Sequence, residues 1–182
     1  MATHHSATID DLHREPGKAE LVGGEIVRMS PAADFHSAAS LNIAASLRTY
    51  AKSRERAGRA YGDNAGFLCD LPHRQSFSPD AAYYTGPRGR MKFLPRPPDF
   101  AAEIRSEEDY GPRAEQRLAE KRADYFAAGT QVVWDVDLEG DNVVRVYRAS
   151  DRENPSIYRR GEIAEAEPAV PSWTMPVDEL FE

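Results

Sequence analysis

The spacing of apolar residues changes several times along the chain, and each change marks an element. From Asp34 to about Arg56 there is no Pro or Gly, and Ala38, Leu41, Ala45 and Leu47 through Ala51 recur at helical spacing. Gly58 stops this run, which is the longest helix predicted. Pro112 to Ala128 predicts a second helix, with Pro112 suited to a first turn and Gly129 just past the end. Thr8 to Glu15 predicts a short one, capped by Thr8, with Asp10 and Asp11 in its first turn and Pro16-Gly17 ending it.

Shorter apolar runs predict strands. Glu20-Leu21-Val22 and Glu25-Ile26-Val27 flank Gly23-Gly24, a pair that accepts positive φ at both centres of a tight hairpin, and Ser30-Pro31 closes the unit. Ala65 to Leu71, Ser78 to Thr85 and Asp99 to Arg105 read as extended; before the last lies a loop with Arg88, Arg90, Lys92, Arg96 and the run Pro95 to Pro98. Thr130 to Asp137 and Asn142 to Arg148 are β-rich around the turn Glu139-Gly140-Asp141. Beyond Ser150 the signal weakens to a short strand at Ile157 to Arg159, and no internal repeat is present. This order predicts an α/β (α+β mixed) protein with a central mixed β-sheet flanked by helices. At 182 residues a single domain is expected, with 1–30 as an N-terminal helix and hairpin and 160–182 as a C-terminal extension.

Composition narrows the class. No run of about eighteen apolar residues occurs, so no membrane helix is expected. Met1 to Pro16 carries His and acids where a signal peptide needs a basic start and an apolar run, so a cytoplasmic protein is expected. Cys69 stands alone, which excludes a disulfide framework and a Cys-based zinc site and suits a reducing compartment. Thirty acids against 23 bases leave a net charge of −7, so an argument for nucleic-acid binding has to come from a site and not from bulk charge. The segment from Arg48 to Arg59 is locally basic and the chain from Glu162 onward acidic, a pattern that a solvated helix face and an acidic tail also explain.

Gly-rich phosphate loops, His-Glu-x-x-His, Gly-x-Ser-x-Gly and the dinucleotide fingerprint are all missing. His4, His5, His36 and His73 are too scattered for a histidine metal cluster. What remains is acids on strands. Asp80 follows Pro79 at the start of an apolar strand, and Glu103 interrupts Phe100 to Ile104. A carboxylate there is costly to bury unless it is paired or bound to a cation, and Mg²⁺ or Mn²⁺ prefers such oxygens. The alternative is that Glu103 pairs with a neighbouring Arg or lies at an edge. Leu118, Lys121 and Tyr125 share one helix face, which aims Lys121 at the Glu103 strand unless its long stem carries the ammonium out to solvent. Two carboxylates and a cation are what metal-dependent phosphodiester hydrolysis needs.

Pro79-Asp80, Glu103-Ile104-Arg105-Ser106, Lys121 with Tyr125 and Gly129, and Val133-Trp134-Asp135-Val136-Asp137 together resemble the Uma-two family of restriction-endonuclease-like bacterial proteins. The resemblance starts at Glu20-Leu21-Val22-Gly23-Gly24-Glu25, passes Met29-Ser30-Pro31 and His36, and runs to Val146-Tyr147. It implies a restriction-endonuclease-like core and a metal-dependent endonuclease acting on DNA. Asp80, Glu103 and the Ile104 carbonyl would hold Mg²⁺ (or Mn²⁺), with Lys121 acting on the attacking water or the developing charge. Glu20 would add a carboxylate, or be a surface hairpin acid. The wider superfamily's lysine stands two residues after the acid, where this chain has Arg105, a fixed cation that cannot accept a proton. Ser106 and Glu107-Glu108-Asp109 replace a turn in which the family carries a Pro. A non-catalytic nucleic-acid- or protein-binding module of the same fold is the alternative, and a structural homo-oligomer whose acids merely form ion pairs is a third. A homodimer is expected, with Trp173, Met175 and Phe181 as exposed interface residues.

Overall fold

The computed structural model describes residues 6–53 and 58–182. The chain begins with a single helical turn, α1 (Ile9–Leu12), shorter than the expected helix but closed by a reciprocal capping box between Thr8 and Asp11. The hairpin follows as β1 (Ala19–Val22) and β2 (Glu25–Arg28), paired antiparallel. Gly23 and Gly24 both take positive φ at its turn, as the Gly-Gly pair requires. The long helix α2 spans Asp34–Ser53; its expected last turn at 54–56 lies outside the described residues. Its buried face is Ala39, Ile43, Leu47 and Tyr50, and not the stripe through Ala38, Leu41 and Ala45. Leu41 is 67% exposed. Alanine at so many positions permits more than one helical stripe, and the sheet selects the one with the larger residues.

Next come β3 (Arg59–Tyr61), β4 (Phe67–Leu71), β5 (Arg74–Phe77), β6 (Ala81–Tyr84) and β7 (Phe100–Ile104). Helix α3 (Pro112–Ala128) crosses from β7 to β8 (Val132–Val136), the one parallel neighbour pair in its sheet. Gly129 caps α3 in the left-handed region. The chain closes with β9 (Val144–Arg148), β10 (Asp151–Tyr158), β11 (Ile163–Glu165), β12 (Thr174–Pro176) and a 3-10 turn at Val177–Phe181.

Two sheets carry the site. The six-stranded mixed sheet runs β10-β9-β8-β7-β6-β3, and a smaller antiparallel sheet runs β2-β1-β5-β4. Strand alternation divides the core into two layers. Phe100, Ala102, Ile104, Val132, Trp134 and Val136 pack against α2 and the C-terminal segment. Ala82, Tyr84, Ala101 and Val133 pack on the other face against Tyr125 and Phe126 of α3 and Phe67 and Phe77 of the small sheet. Glu103 and Asp135 stand on this second face, beside α3.

The C-terminal segment does not offer the expected interface residues. Trp173 and Met175 are 3% and 1% exposed, and Phe181 packs partly buried against the same core. Trp173 stacks on Trp134 at 5.1 Å, lies 5.6 Å from the Phe100 ring, and donates its indole N–H to Ser46. Trp173→Ala is therefore expected to lower unfolding free energy by about 3 to 5 kcal/mol while leaving assembly unchanged. Urea melts paired with light scattering check both halves; a change of oligomeric state at unchanged stability would reverse the assignment.

Candidate active site

Asp80 sits one residue before β6. Its backbone is fixed from two sides: its N–H donates to the Ala102 carbonyl at 3.0 Å, and its carbonyl accepts the Ser40 hydroxyl of α2 at 2.6 Å. Ala81 pairs with Ala102, so one step outward in this register sets Asp80 opposite Glu103. Asp80 Oδ2 accepts the Ile104 N–H at 2.7 Å. Its Oδ1 meets Lys18 Nζ at 2.5 Å and His36 Nε2 at 3.1 Å. Burial alone would push this carboxyl up. The His36 hydrogen bond and the Lys18 charge override it and hold Asp80 well below the usual carboxylate range. The same contact raises His36, while Lys18 is also held by Asp63 at 2.7 Å.

Glu103 is paired, though not with an arginine. Its Oε2 accepts from Lys121 Nζ at 2.9 Å and its Oε1 from the Tyr125 hydroxyl at 2.6 Å. Lys121 does not extend into solvent; it also reaches Glu20 Oε1 at 3.0 Å. Glu20 is no surface hairpin acid. It is 3% exposed, accepts the Ser78 N–H at 2.9 Å, and pairs through Oε2 with Arg74 Nη1 at 2.5 Å. Arg74 passes the chain of charges on to Asp124 at 2.8 Å.

The electrostatics are uneven. Burial would lower Lys121, but two carboxylates sharing one ammonium raise it well above an ordinary lysine. Glu20, with Lys121 and Arg74 against it, is lowered in spite of its burial. Glu103 shares the Lys121 ammonium with Glu20; burial and the like charges of Asp80 and Glu20 outweigh Lys121 and the more weakly felt Lys18, so its pKa is raised. Glu103 is thus the carboxylate short of positive charge.

Arg105 is committed elsewhere. It bonds Asp135 through Nε at 2.7 Å and Nη2 at 2.9 Å, and it also pairs with Glu115. Sequence reasoning missed Lys18, Arg74, Asp63 and the Ser78 N–H, each supplied from a segment distant in the chain. His36 and Tyr125 entered only through the family resemblance and the helix-face argument.

Over residues 7–178 the chain matches the family Uma2, described as "Putative restriction endonuclease". The protein belongs to the Uma2 family. A solved structure from Anabaena variabilis ATCC 29413, described as a "putative nuclease belonging to DUF820", superposes with a TM-score of 0.73 at 19% identity. The match covers 96% of this chain and 97% of that one, and it establishes a shared fold. The comparison with curated proteins finds no match.

For this Uma2 chain the donor set can be tested against a divalent ion. Among the described residues no three His, Cys, Asp or Glu side chains form a ready metal cluster. Asp80 and Glu103 instead supply two carboxylates, the usual protein share for Mg²⁺, which keeps its waters and takes substrate phosphate oxygens. The Lys18 ammonium already stands against Asp80 Oδ1, and Glu103 shares the Lys121 ammonium with Glu20. The two carboxylates fit a hard cation in kind, and such an ion would take the place that Lys18 holds on Asp80 Oδ1.

Proposed function

We propose that this Uma2 protein is a metal-dependent endonuclease that hydrolyses phosphodiester bonds of DNA. The observation that carries the reading is Lys121, a largely buried ammonium held on Glu103 and Glu20 at the end of β7. Asp80, Glu103 and the Ile104 carbonyl would hold Mg²⁺ or Mn²⁺. Such an ion polarises the phosphate and lowers the pKa of a water bound to it.

The remaining roles belong to the chain itself. Lys121 stays protonated over the working range, so it acts as a fixed donor toward the attacking water and the developing negative charge, and not as a proton acceptor. Glu103 is given to the ion together with Asp80, and Lys121 holds its Oε2 in place. Tyr125, raised well above an ordinary phenol, remains a donor that holds Glu103 in place. Cys69, pushed up to about 12 by burial, is a poor nucleophile and stays outside the chemistry. A homodimer would place one site on each strand of a duplex, and a reducing cytoplasm suits the lone thiol.

The alternative, a non-catalytic binding module, draws support from Lys18, which fills the place beside Asp80 that a metal would use. Incubation of supercoiled plasmid with the protein separates the two. Nicked and linear products are expected with Mg²⁺ or Mn²⁺ and none with a chelator; intact plasmid under every metal condition would hand the site to the binding reading.

A further inference from the structure

Between Asp80 and Asp99 the chain carries Arg88, Arg90, Lys92 and Arg96 and no acid, in a protein with a net charge of −7. Arg96 is used within the fold, on Asp99 and Thr85 and over the Tyr84 ring. Arg88, Arg90 and Lys92 are exposed, and none of the three has an ion-pair partner among the described residues.

The loop that bears them is built and not slack. Leu94 is 6% exposed, accepts the Leu68 N–H and donates to the Gly66 carbonyl, so the loop's exit is stitched to β4. Phe93 stacks on His13 at 4.0 Å. The Lys92 N–H closes a turn onto the Gly89 carbonyl at 3.0 Å. A Cβ at Gly89 would stand 2.3 Å from the Phe93 carbonyl oxygen, so only glycine admits so tight a return. The turn holds Arg90 in the left-handed region, at φ 58, and leaves Met91 98% exposed. Exposed cations held outward by a strained, anchored turn point to a negatively charged partner.

Beside the loop lies a hollow of about 310 Å³, walled by Tyr61, Asn64, Arg88, Arg90, Lys92 and Phe93. Asn64 adjoins Asp63, which holds Lys18, which in turn holds Asp80. The hollow thus adjoins the carboxylate site through Asp63, the chain neighbour of Asn64, and the two ion pairs that Lys18 makes.

We infer that the 87–93 loop is a nucleic-acid arm, on which Arg88, Arg90 and Lys92 engage successive backbone phosphates and lead the strand toward Asp80 and Glu103. This rests on the nuclease reading of the site and names the surface that delivers its substrate. The contacts are to phosphate, so they set affinity and salt dependence and carry little sequence preference.

The test is binding of a fluorescein-labelled duplex of arbitrary sequence in chelator, where no cleavage intervenes, over a series of salt concentrations. Each cation removed is expected to reduce the slope of log affinity against log salt by about 0.9. Arg88→Gln, Arg90→Gln and Lys92→Gln combined should thus flatten it by roughly two to three, while Arg88→Lys with Arg90→Lys keeps it. Arg48→Gln with Lys52→Gln, on the exposed face of α2, should leave it unchanged. An unaltered slope in the triple variant, a slope that follows the α2 pair, or no binding by the wild type would overturn the proposal. Cleavage by a triple variant with an unaltered slope would sink the arm and spare the nuclease reading. The expected slope changes in a protein that never cleaves would do the reverse.

Discussion

Lys121→Ala is expected to cripple metal-dependent cleavage and to weaken the fold as well. The ammonium sits between Glu103 at 2.9 Å and Glu20 at 3.0 Å, and both carboxylates are largely buried. Removing it leaves two acids with too little positive charge, a loss of about 3 kcal/mol for a broken buried pair. Cleavage by the folded fraction should fall roughly a hundred- to a thousandfold, the scale of losing one preorganised donor to developing charge. Lys121→Met, which keeps the packing of the stem, should lose as much activity. Arg105→Ala is the informative contrast, because it leaves Asp135 with only the longer Arg122 contact at 3.3 Å and destabilises the protein but should leave cleavage per folded molecule near wild type. Urea melts together with plasmid nicking measure both quantities. If Arg105→Ala silenced the enzyme and Lys121→Ala did not, the strand cation would be the catalytic one.

Glu103→Gln should give a dead protein that is more stable than the wild type. Glu103 has its pKa raised by burial and by Asp80, so being charged at neutral pH costs the folded state free energy. A group with a raised folded pKa contributes stability that is fully present below its unfolded value, near 4.5, and is lost as pH climbs through the folded value. The glutamine variant never meets that loss. Its carbonyl can accept from Lys121 while its amide faces the Tyr125 oxygen, which can accept in place of donating. The gain in melting temperature over the wild type should be largest at neutral pH and vanish in acid below about pH 4. Asp80 acts in the opposite sense. Its lowered pKa supports the fold above the ordinary carboxylate range, and that support disappears as pH falls through and below it. A glutamine variant less stable than the wild type at pH 7 would show that Glu103 is not starved of positive charge.

Much of this arrangement could be read in the sequence, for local reasons. Pro112 and Gly129 bracket α3 because each serves one end of a helix and disrupts the other. The Gly-Gly pair set the β1–β2 register, and acids within apolar runs marked Asp80 and Glu103. Elements decided by distant partners stayed hidden. Strand β5 reads Arg-Gln-Ser-Phe, yet two of its polar residues are buried: Arg74 on Glu20 and Asp124, and Ser76 accepting the Leu21 N–H. Strand β10 begins Asp-Arg-Glu-Asn-Pro and still pairs with β9, through a register shift between Asp151 and Ser156 at the sheet's edge. Trp173 looked like surface because its partners, Trp134, Phe100 and Ser46, lie far away along the chain. Lys18 and Arg74 carried no local sign, since a charged side chain beside a strand usually points to water.

The two sheets have separate ladders, and the residues of the site lie where the sheets meet. Glu20 and Arg74 come from the small sheet, Glu103 from the large one, and Lys121 from the helix between them. What joins the halves at the carboxylates is side-chain charge, beside the apolar layer of Phe67 and Phe77, and not strand pairing. The carboxylate site therefore works as a clasp: small slippage of the N-terminal hairpin against β7 would part Glu20 from Lys121 and loosen the site while both ladders stay zipped. The geometry of the site and the integrity of the two ladders are in this sense separable. On gentle heating or in mild denaturant, cleavage should fade ahead of the backbone signal, and whatever grips the hairpin gains a handle on the chemistry.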